Sequence, residues 1–160
     1  MDSHLLQLAE KTCRTLLSRR MTVSVAESCT GGMIGAALTA VPGSSACFSG
    51  GVIAYADEVK KNVLGVPARV LDRHGAVSAG TVTAMARNVR LLMKTDYGVA
   101  VSGIAGPAGG TARKPVGLVY VGISSGAVTR SFRYRFDGGR QKVRSETVAA
   151  ALGRLLKMIG

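Results

Sequence analysis

The ten residues YGVAVSGIAG (97–106) are apolar at both sets of alternating positions. Side chains of a strand alternate between faces, so a strand apolar on both needs cover above and below. Such a segment belongs in the middle of a sheet flanked by two helical layers. The rest of the chain supplies the parts. TVSVAE (22–27) is a short β-branched strand, and CFSGGVIAYA (47–56) is a second strand softened by Gly50 and Gly51. PVGLVYVGISSG and VTRSFRYRF form a hairpin around Ser125 and Gly126, with Phe132, Tyr134 and Phe136 on its buried face.

Helical periodicity fills the intervals. Leu5, Leu8, Ala9, Cys13 and Leu16 share one face of an opening helix. TGGMIGAALTAV (30–41) is a helix that stops near Pro42 and Gly43. DEVKKNVLG and PARVLDRHG are two short helices closed by Gly65 and Gly75. Ser78 caps a longer helix with Val82, Met85, Val89 and Leu92 inside, and a last helix turns Val148, Ala151, Leu152, Leu155 and Ile159 inward. The expected fold is α/β: a single domain over residues 1–160, a three-layer α/β/α sandwich with a mixed sheet of about five strands.

The chain is rich enough in apolar residues, at 47%, to fold throughout, and it has no internal repeat. Three cysteines with no C-x-x-C pair indicate free thiols in a reducing compartment. No segment approaches the ~18 uninterrupted apolar residues of a membrane span, and no basic leader precedes an apolar run. A soluble, cytoplasmic protein is expected. The net charge is +12, and ten Lys and Arg against two acids follow from Arg113 onward. That surplus favours an anionic partner, although a solvated basic surface explains it equally well. Few aromatics and no Trp weaken the case for single-stranded nucleic acid stacked on rings.

Two glycine-rich loops follow strands, the place where ligands gather in α/β sheets. ESCTGG (27–32) opens a helix, whose first N–H groups can hold a phosphate or the oxyanion of an acyl-transfer intermediate. SGIAGPAGG (102–110) carries four glycines and is followed by Arg113 and Lys114. Neither matches G-x-x-x-x-G-K-[ST], and no H-E-x-x-H or cysteine–histidine cluster is present, so neither a metal nor any cofactor is expected.

Ser28 and Cys29 are adjacent nucleophile candidates. A thiolate at a helix start is activated, but most free cysteines are small buried hydrophobes. Neighbouring side chains in a tight turn also diverge, so Ser28 and Cys29 are not expected to line one pocket. A serine needs a base. His74 more naturally closes its short helix, and Lys61 reads as solvated. Lys60 stands just beyond the second strand, able to face the first loop if the strands are neighbours. Glu27 can orient a leaving nitrogen or Lys60, or can receive N–H bonds at the helix start.

AESCTGG, PGSSACFSGGVIAYADEVK, HGAVS, SGIAGPAGG and KPVG, in that order, resemble the C-terminal CinA domain over about Leu5 to Leu156. Stand-alone members of that family are nicotinamide mononucleotide amidohydrolases. The resemblance implies hydrolysis of the carboxamide of nicotinamide mononucleotide to nicotinic acid mononucleotide and ammonia, in pyridine nucleotide salvage. It implies a metal-free serine mechanism with Ser28 as nucleophile, Lys60 as base, and Tyr55 from the same Y-x-x-E-x-K motif. Substrate contacts are then expected from Glu27, Thr30, Gly31 and Gly32, from Ser102, Gly103, Ala105 and Gly106, and from Arg140. It also implies at least a homodimer; no nucleic acid or membrane partner is expected. Ala108 and Gly139 depart from the family pattern, Gly139 where an acid often precedes the arginine. The competing expectation is a non-catalytic nucleotide- or nucleic-acid-binding module, which the basic tail favours.

Overall fold

Five strands form one mixed sheet in the order β2-β1-β3-β4-β5, and six helices cover its two faces. The structure is a computed structural model that describes residues 2–160. Its elements are α1 (Ser3–Ser18), β1 (Val23–Glu27), α2 (Met33–Thr39), β2 (Phe48–Ile53), α3 (Asp57–Asn62), α4 (Ala68–His74), α5 (Ala79–Met93), β3 (Tyr97–Gly103), β4 (Leu118–Ser124), β5 (Thr129–Arg135) and α6 (Arg140–Ile159). β1 pairs in parallel with β2 and β3, and β3, β4 and β5 follow antiparallel to one another.

The sandwich has two cores. On one face α1, α2 and α6 enclose Leu16, Ile34, Leu38, Val148, Leu152 and Leu155 with Val25, Val99 and Val121 of the sheet. On the other, Val82, Met85, Ala86 and Val89 of α5 close over Ala26 and Ala100, with Leu64, Val66 and Leu71 beside them. Each fully buried leucine or valine contributes about 1.5–3 kcal/mol relative to exposure. α5 comes unusually near the sheet because Gly98 and Gly122 lie beneath it. A Cβ on Gly98 would meet the Ala86 carbonyl oxygen at 2.1 Å, and one on Gly122 the Val82 carbonyl oxygen at 2.4 Å. Either side chain would force the helix off the sheet.

Three local expectations need correction. α2 begins at Met33 and not at Thr30, because Gly31 (φ 58°) and Gly32 (φ 100°) adopt left-handed turns that no right-handed helix contains. Leu92 is 52% exposed, because the inner face of α5 runs through Val82, Met85, Ala86 and Val89 to Met93, which packs on the core in its place. Phe132, Tyr134 and Phe136 are half-buried, since β5 is an edge strand, and the Arg154 guanidinium lies 4.1 Å from the centre of the Phe132 ring.

Candidate active site

The strand order places β1 between β2 and β3, and the chain leaves β1 and β2 towards opposite faces of the sheet. α2 packs on one face and α5 on the other, so a crevice opens at the carboxyl ends of these strands. Glu27 stands opposite Ile53 on one neighbour and Val101 on the other. The residues just beyond, Ser28, Tyr55, Ser102 and Gly103, therefore meet at one edge. They border a cavity of about 220 Å³, together with Cys29, Asp57, Lys60, Ala76, Val77, Ala105 and Arg140.

Ser28 continues β1 by donating its N–H to the Val101 carbonyl at 3.1 Å. Its hydroxyl has no hydrogen-bond partner among the described residues, and the residue is 8% exposed. Lys60, on α3, is 1% exposed. Its Nζ donates to the Tyr55 carbonyl at 3.0 Å and to Asp57 Oδ1 at 3.3 Å. The last turn of a short helix has thus carried a lysine side chain into the interior, against the usual preference of lysine for water.

Arg140, the first residue of α6, crosses the mouth. It donates through Nη1 to the Gly106 carbonyl at 2.9 Å and through Nη2 to the Tyr55 hydroxyl at 3.1 Å. Tyr55 is itself 59% exposed. Ser102 is buried and donates its hydroxyl to the Ala76 carbonyl at 2.7 Å, which ties the 75–78 loop to β3.

The remaining expected contacts stand behind the cavity wall. Glu27 is 1% exposed and its carboxylate is fully engaged. Oε2 accepts from Thr30 Oγ1 at 2.5 Å, Gly32 N at 3.0 Å and Ile34 N at 3.1 Å, while Oε1 accepts from Gly35 N at 2.8 Å. The N–H groups at the start of α2 are therefore occupied by Glu27, and the expectation that they hold a phosphate or oxyanion is corrected. Glu27, Thr30, Gly31 and Gly32 build the turn under Ser28 and do not line the cavity, and Gly106 reaches it only through Arg140. The N–H groups without a protein partner in this turn are those of Cys29 and Thr30.

Cys29 borders the cavity beside Ser28, so the expectation that the two cannot share a pocket is also corrected. The Cys29 side chain packs into the core. Burial pushes its thiol up to about 12, against smaller opposing pulls, first from its own backbone N–H and then from Arg144 and Lys60. His74 lies exposed at the end of α4, outside the cavity, where its carbonyl accepts from Lys114 Nζ. Lys61 is exposed.

Sequence reasoning missed Asp57, Ala76, Val77 and Arg144. Asp57 reads as an ordinary acid in a helix's first turn, and Ala76 and Val77 sit inside HGAVS, quoted only as a motif. Arg144 follows Arg140 by four residues and so shares its helix face, a spacing that was readable. It donates through Nη2 to the Thr30 carbonyl at 2.8 Å and through Nη1 to Gln141 Oε1 at 3.1 Å. No described group of three or more His, Cys, Asp or Glu side chains is placed to hold a metal ion, and no described helix is long and apolar enough to cross a membrane.

Fold and cavity together define an α/β domain with a polar pocket at the carboxyl ends of its parallel strands. The sequence comparison is more particular: the profile of the CinA C-terminal domain matches residues 5–159, and the chain belongs to that family. It is 53% identical over 152 residues to a putative competence-damage inducible protein of Desulforudis audaxviator, covering 94% of this chain and 37% of that protein. A CinA-like protein of Parasynechococcus marenigrum is likewise 53% identical over 154 residues, covering 95% of this chain and 37% of its own length. The chain thus spans somewhat over a third of these relatives. The crystal structure of the competence/damage inducible protein CihA from Agrobacterium tumefaciens superposes with a TM-score of 0.97 at 37% identity, covering 100% of this chain and 98% of that one. A CinA superfamily protein from Klebsiella pneumoniae gives 0.94 at 35% identity, with 97% of each chain covered.

Proposed function

We propose that the domain is an amidohydrolase that converts nicotinamide mononucleotide to nicotinic acid mononucleotide and ammonia, with Ser28 as nucleophile and Lys60 as base. The observation that carries this reading is the pairing in one cavity of an unbonded serine hydroxyl with a buried lysine amine. The bonds of Lys60 Nζ to the Tyr55 carbonyl and to Asp57 hold the amine at the wall of the cavity that Ser28 also borders, and as a base it accepts the serine proton on its lone pair.

In the first half-reaction Ser28 Oγ attacks the carboxamide carbon and its proton passes to Lys60 Nζ. The tetrahedral oxyanion is stabilised by the unpaired N–H groups of the turn after Ser28. On collapse the C–N bond breaks, Lys60 returns the proton to the leaving nitrogen, and ammonia departs. Water, deprotonated by Lys60, then attacks the acyl ester. The Ser28–acyl bond breaks, the proton held by Lys60 returns to Ser28, and the carboxylic acid leaves, giving up its own proton to solvent.

Arg140 supports the choice of a phosphorylated substrate. Two of its five N–H donors are committed to Gly106 and Tyr55, which leaves charge and donors at the mouth for a 5′-phosphate. The test is incubation of the purified protein with nicotinamide mononucleotide and quantification of both products. Equal amounts of ammonia and nicotinic acid mononucleotide are expected. Binding without ammonia release is what a non-catalytic nucleotide module would give instead.

A further inference from the structure

We infer that Arg144 is a positioning residue that polarises the oxyanion-stabilising N–H of Cys29 through a relay of two hydrogen bonds. The inference rests on the reading of Ser28 as nucleophile. Arg144 Nη2 donates to the Thr30 carbonyl at 2.8 Å. That carbonyl belongs to the peptide unit whose N–H, on Gly31, donates to the Ser28 carbonyl at 3.0 Å. The Ser28 carbonyl in turn belongs to the peptide unit whose N–H is that of Cys29. This last N–H donates to no other described residue, and Cys29 borders the cavity.

Chains of this kind strengthen each member, because a carbonyl that accepts a bond makes the N–H of its own peptide unit a better donor. Here the chain starts at a full positive charge and ends at the amide following the nucleophile, where acyl-transfer sites place an oxyanion donor. Among the described residues Arg144 has no carboxylate within salt-bridge distance and no partner for its buried Nε, and its other bond is to the neutral Gln141 Oε1 at 3.1 Å. Glu27 holds the same turn from the other side through Thr30 Oγ1. Thr30 is thus gripped at both its hydroxyl and its carbonyl, and the Cys29 N–H is fixed in direction as well as strengthened.

The experiment uses a fluorophosphonate, which tests serine activation independently of the amide substrate. Ser28 Oγ attacks phosphorus, the P–O bond forms as P–F breaks, fluoride leaves and Lys60 takes the proton. The phosphoryl oxygen occupies the oxyanion position. Arg144→Ala should label about 10- to 50-fold more slowly than wild type but to the same final extent, less than the ~10²–10³ of deleting an oxyanion donor outright because the effect is indirect. Arg144→Lys, which keeps the charge and one donor, should recover part of the rate. With nicotinamide mononucleotide, the Arg144→Ala deficit should fall on kcat and leave KM within about 2-fold. Wild-type labelling rates in Arg144→Ala, or a reduced final extent with an unchanged rate, would overturn the relay. Labelling of wild type at Ser28 without any ammonia release would overturn the substrate reading and leave the relay standing. No labelling of wild type would overturn the serine assignment and the relay with it.

Discussion

Replacing Glu27 by glutamine tests how the nucleophile turn is held. The carboxylate accepts four hydrogen bonds in a site that is 1% exposed. Glutamine keeps one oxygen. If that oxygen takes the place of Oε2, three donors keep an acceptor, and the new NH₂ group faces the Gly35 N–H, donor against donor. One charge-assisted bond is lost, worth about 1.5–3 kcal/mol, and one part-buried N–H is left unsatisfied at about 1–3 kcal/mol. The sum is a destabilisation of about 2.5–6 kcal/mol, or roughly 5–24 °C in Tm for a chain of this size. Circular dichroism melts of wild type and Glu27→Gln measure it directly. A Tm within about 2 °C of wild type would refute the claim that this carboxylate organises the turn.

Other consequences are equally open to measurement. Arg140→Ala should raise KM about 10- to 100-fold if Arg140 holds the phosphate as proposed, through loss of a charge-assisted bond; a fall in kcat with KM unchanged would remove Arg140 as the anchor. A chelator should leave ammonia release unchanged, because every step is assigned to side chains and backbone N–H groups of the chain itself; loss restored by a divalent cation would contradict this. Cys29→Ala should stay folded and largely active at a stability loss of about 1 kcal/mol, and an inactive variant would make the thiol part of the chemistry. The thiols of Cys13 and Cys29 are raised from 9.0 to about 12, chiefly by burial. Above pH 9 the unfolded chain therefore binds fewer protons than the native one, so stability should be complete below pH 9 and fall between about pH 9 and 12. Cys29→Ala should flatten that decline, and an unaltered slope in alkaline melts would count against it.

The fold was legible wherever a local rule decides it. YGVAVSGIAG announces a doubly covered strand through its lack of a polar face, and β3 does lie inside the sheet with α5 below and α6 above. Ser125 and Gly126 mark the β4–β5 turn for a similarly local reason. Strand order was not readable, and the site depends on it. Ser28 and Lys60 are 32 residues apart, and they share a cavity because β2 pairs with β1.

The division of labour within ESCTGG was also hidden. Helix-start N–H groups look free in a sequence, but whether the preceding glutamate folds back to occupy them depends on the left-handed turns at Gly31 and Gly32. Arg144 shows the same limit from the other direction. Its phase relative to Arg140 could be counted along α6, but its bond to Thr30 spans 114 residues and exists only because α6 packs beside α2.

The central claim, that Ser28 and Lys60 form one catalytic unit, is met most directly by comparing ammonia release from nicotinamide mononucleotide in Ser28→Ala, Lys60→Ala and the double variant, each shown to be folded. Because members of a nucleophile–base pair act together, each single variant should lose ~10³-fold or more in kcat and the double variant hardly more. An active Ser28→Ala beside an inactive Cys29→Ala would contradict the assignment and make the enzyme a cysteine amidase.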